Sequence, residues 1–163
     1  MRIILSILLL SVCYSAVIKV PHEYETIQEG IDVAVDGDRV EVSCYQIYFE
    51  NINFNGKNIL VIGKGNPNDP SCKAIIDGSN IHDRVIRFNN GEDSTAILSG
   101  FKIINSIMGA IEISSSNPTI VNCIFSENRS VGLGPAMDIA NANPIIKNCV
   151  FFNNRTPSRG GVL

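Results

Sequence analysis

The chain has 163 residues, 45% of them hydrophobic and 18% charged, with 13 Lys+Arg against 16 Asp+Glu and a net charge of −3. That length suits one domain with a sizeable core, and that hydrophobic share excludes a disordered chain. Basic runs are missing, which excludes nucleic acid as a main partner because phosphate binding needs clustered Lys and Arg.

In chain order, the first predicted element is an export segment. Met1-Arg2 gives a basic start, and Ile3 to Val12 is apolar apart from its serines. Such a run falls short of the ~20 residues a bilayer span needs and matches the h-region of a secretory signal. Residues 1–16 are therefore expected to be a signal peptide, with the small Cys13 and Ser15 marking cleavage. The mature protein is expected to be secreted or held at the cell surface. Leu10-Ser11-Val12-Cys13 is similar to a lipoprotein signal, but bulky Val12 argues against a lipid anchor on Cys13. No second apolar run follows, so no membrane span is expected.

A helix is predicted next, over 26–35. Thr26-Ile27-Gln28-Glu29 has the capping-box spacing, and Ile27, Ile31 and Ala34/Val35 fall on one face. Gly37 offers a left-handed stop, and Arg39-Val40-Glu41-Val42 alternates as a strand. From Val17 onward there are 22 Ile and 12 Val against 4 Leu, with 18 Asn and 13 Gly. β-Branched residues suit pleated surfaces, and Asn and Gly suit tight corners, so the remainder reads as short strands joined by turns.

Residues 109–134 and 135–160 align without gaps and share 11 of 26 positions, among them Asn117-Pro118/Asn143-Pro144, Asn122-Cys123/Asn148-Cys149 and Asn128-Arg129/Asn154-Arg155. A repeat of that length holding three short strands is one turn of a solenoid. In the best turn the strands are predicted at 110–113, 119–121 and 123–125. Ile111, Ile113, Ile120, Cys123 and Phe125 should point inward, each over its equivalent one period later. The predicted fold is all-β: a right-handed, single-stranded parallel β-helix over 17–163, the hand following the usual crossover rule. Its N-terminal helix caps the first turn.

These residues resemble the pectin-lyase-like β-helix proteins, of the secreted bacterial type. The likeness rests on Tyr24-Glu25-Thr26-Ile27-Gln28, Gly37-Asp38-Arg39-Val40, Tyr48-Phe49-Glu50-Asn51-Ile52, Asn90-Gly91-Glu92-Asp93 and the Asn-Cys-x-Phe repeats. Tyr45-Gln46 departs from the Pro-Gly such proteins carry there. The superfamily includes lyases, esterases and hydrolases of pectin. Their catalytic sets are not found: the mature histidines, His22 and His82, lack the hydrolase context, and Asp36 and Asp38 read as turn residues. Arg155-Thr156-Pro157-Ser158-Arg159 is one residue short of the lyase Arg-x-Pro-x-x-Arg.

The resemblance implies a face that holds calcium and acidic sugar. On it, Arg87, Glu112 and Asp138 are expected at one outward position of three successive strands. Glu112 and Asp138 are the candidate Ca²⁺ ligands and Arg87 the candidate substrate contact, against an exposed Arg87–Glu112 salt bridge as the simpler account. No catalytic residue and no other cofactor is assigned. Asn128 and Asn154 open nominal glycosylation sequons and also suit a hydrogen-bonded column. Cys123 and Cys149 are expected as stacked buried thiols, and Cys44 and Cys72 as candidates for a disulfide.

Gly160-Gly161-Val162-Leu163 reads as the start of another turn, so the chain is expected to be truncated at its C-terminus. Its open edge could self-associate. The functional expectation is a secreted or surface scaffold that binds polysaccharide, a cell-surface glycan or another surface. The alternative is the N-terminal part of a polysaccharide lyase or esterase.

Overall fold

The computed structural model describes residues 15–66, 68–69, 71–132 and 134–157. The expected export segment, Cys13 included, lies outside them apart from Ser15 and Ala16, as do Ser158 to Leu163. Strand β1 (Val17–Val20) leads into helix α1 (Ile27–Val33), after which strands follow in threes. They are β2 (Arg39–Val42), β3 (Ile47–Tyr48) and β4 (Ile52–Asn53), then β5 (Leu60–Gly63), β6 (Ala74–Asp77) and β7 (Ile86–Phe88). Next come β8 (Ile97–Ser99), β9 (Phe101–Ile104) and β10 (Ile111–Ser114), then β11 (Thr119–Val121), β12 (Ile124–Ser126) and β13 (Met137–Ala140). Strands β14 (Ile145–Lys147) and β15 (Val150–Phe152) close the described chain.

Equivalent strands pair in parallel into three sheets, ordered β1-β2-β5-β8-β11-β14, β3-β6-β9-β12-β15 and β4-β7-β10-β13. The result is a parallel β-solenoid of about 5 turns. The repeat register is as predicted: Ile111 pairs with Met137, Ile120 with Ile146 and Phe125 with Phe151. Strands β10 and β12 run one residue later than expected. Cys123 therefore sits at a corner, directly after Asn122 with its φ of 57°, and is still fully buried. Asn148 holds the same left-handed corner one turn on, at φ 53°, as Gly100 does one turn back, at φ 80°.

The core is the stacked inner columns. Ile86, Ile111 and Met137 form one, and Leu98 and Ile120 lie in another. Phe125 and Phe151 stack with centroids 5.1 Å apart and planes 8° off parallel. Such a ring pair adds about 0.5–1.5 kcal/mol beyond the area it buries.

Helix α1 packs on β1, β2 and β4 and covers the first turn. It begins where predicted, with Thr26 and Glu29 closing a capping box. It ends sooner. Ala34 is already extended at ψ 150°, and Gly37, at φ +88°, serves the turn from Val35 to Asp38 instead of stopping the helix. Gly30 faces the sheet so closely that a Cβ there would lie 3.1 Å from methyls of both Val20 and Val40. No described helix is long and apolar enough to cross a membrane.

Candidate functional site

The outward side of β7, β10 and β13 brings the predicted column together. Arg87 pairs in register with Glu112, and Glu112 with Asp138. Arg87 Nε donates to Glu112 Oε2 at 3.1 Å, as the ladder expectation requires. Its Nη2 is also bonded to Asp83, in the loop before β7. That bond from Arg87 holds the Asp83 carboxyl below the usual carboxylate range and raises the guanidinium above its ordinary value.

Asp138 is taken by a residue that sequence reasoning missed. Arg84, also in the loop before β7, donates from Nη2 to Asp138 Oδ2 at 2.6 Å. The two side chains are 16% and 18% exposed, so this is a largely shielded pair. The reach is possible because Gly109 stands between them: a Cβ there would fall 1.9 Å from Arg84 Nη1. The two candidate calcium ligands thus each face a guanidinium. Among the described residues no group of three or more His, Cys, Asp or Glu could hold a metal ion.

Polar side chains on the corners act inward on the backbone. Asp38 accepts from Ala16 N–H at 2.7 Å and Val35 N–H at 2.9 Å, and Asp36 from Asn58 N–H at 2.9 Å. Asn128 is fully buried, accepts from Ser106 N–H at 3.0 Å and donates to Asn154 Oδ1 at 3.0 Å. Asn154 Nδ2 donates to Phe125 C=O at 2.9 Å. This is the column expected of them, and it corrects the sequon alternative at Asn128, whose amide is sealed inside the coil. Cys123 and Cys149 are free thiols, one buried and one partly open. The neighbouring Cys149 and burial both push the Cys123 thiol up.

A second concave feature lies beside the first turns. Cys44 and Cys72 are disulfide-bonded with their Cα atoms 5.6 Å apart, which ties the β2–β3 corner to the loop after β5. Against this corner is a cleft of about 490 Å³. Val20, Pro21 and Cys44 give it an apolar lining, and Lys19, His22 and Lys64 give it donors. Tyr45, also part of the lining, is 77% exposed. Glu41 is engaged by Arg39 at 3.5 Å and Lys64 at 3.4 Å. The residues of this cleft are scattered over 19–65, and only the departure at Tyr45 marked the place in the sequence.

Comparison with known proteins finds no matching family model, no matching curated protein and no matching solved structure.

Proposed function

We propose that this protein is a secreted or cell-surface β-solenoid scaffold that binds polysaccharide or another surface glycan through its flank. The observation that carries this is the cleft at the disulfide corner. Sugar rings combine an apolar face with a rim of hydroxyls, and a good site offers an aromatic platform beside hydrogen-bonding groups. Tyr45 supplies an exposed ring, while Lys19, His22 and Lys64 supply donors. The Cys44–Cys72 bond supports an oxidising compartment, in keeping with export. The resemblance to pectin-lyase-like proteins supports polysaccharide as the ligand class. Fold alone assigns no activity, so the site has to carry it.

Affinity electrophoresis through gels containing single polysaccharides tests this reading. Retardation of the native protein by at least one of them is expected, and Tyr45→Ala should abolish it. Equal mobility of both proteins in every gel would reject it. The same polysaccharides, incubated with the protein and calcium, should release no unsaturated uronate. Release would move the assignment to a lyase.

A further inference from the structure

The corner between the second and third sheets carries two arginines that meet no carboxylate among the described residues. Arg129 and Arg155 follow the buried Asn128 and the half-buried Asn154 and pair with each other as a parallel bridge one turn apart. Every other described arginine meets a carboxylate: Arg39 meets Glu41, Arg84 meets Asp138, and Arg87 meets both Asp83 and Glu112. Arg129 and Arg155 are both exposed and make no ion pair among the described residues. A carboxylate shortage does not explain this, since the chain carries 16 acidic residues against 13 basic ones. Glu127 is next to this corner, but its Oε1 is occupied by Asn153 Nδ2 at 2.6 Å.

Like charges directly opposite on neighbouring strands are unfavourable. Here the scaffold enforces the juxtaposition. Arg129 N–H donates to Ser106 C=O at 2.7 Å, and Arg155 N–H donates to Asn128 C=O at 2.8 Å. The asparagine column locks the preceding residue of each, so both guanidinium stems leave the coil at equivalent points. Both arginines line one cavity of about 570 Å³, whose walls include Ile107, Val131 and Pro157.

We propose that Arg129 and Arg155 form a clamp for a divalent tetrahedral oxyanion, the sulfate or phosphate group of an ester. A guanidinium presents its donors in a planar fork suited to oxyanions, and a single carboxylate is satisfied by one such fork. A tetrahedral dianion has oxygens left for the second fork and charge enough to offset both arginines. The apolar walls would take the body of the ester. This site lies apart from the disulfide-corner cleft and does not depend on the glycan assignment made there.

Calorimetric titration with sodium sulfate and with inorganic phosphate, against sodium chloride at matched ionic strength, tests the clamp. Saturable binding of at least one dianion is expected, with none for chloride. Arg129→Gln and Arg155→Gln should each weaken it about tenfold or more, the effect of losing one charge-assisted contact. Arg129→Lys with Arg155→Lys keeps the charge but not the forks and should fall between. Binding that survives in the double glutamine variant, or that chloride reproduces, would overturn the clamp, as would no binding at all. Both side chains are exposed, so circular dichroism should show the variants folded. A sulfated disaccharide and a phosphomonoester then identify the source: the tighter, arginine-dependent ligand names the ester class.

Discussion

Glu92 is 1% exposed and accepts three hydrogen bonds, from Gly56 N–H at 2.9 Å, Asn90 N–H at 3.0 Å and Ser116 Oγ–H at 2.8 Å. It joins the corner of the coil below to the corner of the coil above. Removing it leaves two part-buried amides without an acceptor, and an unmet amide costs about 1–3 kcal/mol when fully buried. Glu92→Leu should therefore lower stability by roughly 3 kcal/mol in urea titration, taking the lower part of that range for two amides. Glu92→Gln, which keeps one acceptor, should lose less. A loss below about 1 kcal/mol, less than one unmet amide, would show that water reaches these groups. Asn90-Gly91-Glu92-Asp93 stood out in the sequence only by resemblance to pectin-lyase-like proteins. That its carboxylate turns inward was not, because hydropathy places a glutamate outside.

At the scale of elements, α1 is held by residues from the first and second turns. Glu50 accepts from Ile27 N–H and Gln28 N–H, both at 2.9 Å, at the helix start. Gln28 pairs with the backbone of Asn53, and Lys57 Nζ donates to Ile31 C=O at 2.8 Å and Asp32 C=O at 2.7 Å near the helix end. Burial lifts the Glu50 carboxyl above its ordinary range, against the lowering effect of the two helix amides. A folded pKa raised in this way favours the folded state most below the unfolded value, and that contribution is lost as pH rises through the folded one. Asp83, held low by Arg87, has the opposite sign: its contribution is present above the usual carboxylate value and lost as the solution becomes more acidic. Glu50→Gln should therefore flatten the decline in stability as pH rises above the usual carboxylate range, measured by thermal unfolding against the native protein. An unchanged slope would remove Glu50 as its source. The start of this helix was readable because the capping box is a local code. Its end was not, since Asp38 draws Val35 N–H away from the helical path.

Across the whole molecule, the columns were legible because a 26-residue repeat fixes which side chains stack. The ion pairs were less so. Arg87 to Glu112 follows from the period, but Arg84 to Asp138 joins a loop residue to a strand 54 positions away. Periodicity has nothing to say about loops. Gly109 carries this contact: at φ +101° any side chain is strained, and its Cβ would displace Arg84 Nη1 from the space it fills. Gly109→Ala should cost about 2 kcal/mol, combining backbone strain with the lost pair. Asp138→Asn, which spares the backbone, should separate the two contributions. Equal stability of Gly109→Ala and the native protein would refute this account.

In a linear stack, each coil normally feels only the coil above and the coil below, and its unfolding can be treated as a chain of nearest-neighbour couplings. Arg84 reaches past β10 to β13, so one bond ties coils that are not adjacent. Such a second-neighbour coupling should favour joint melting of three consecutive coils. Cutting it should turn one sharp transition into a broader one, with a shallower urea dependence, well before the fold itself is lost.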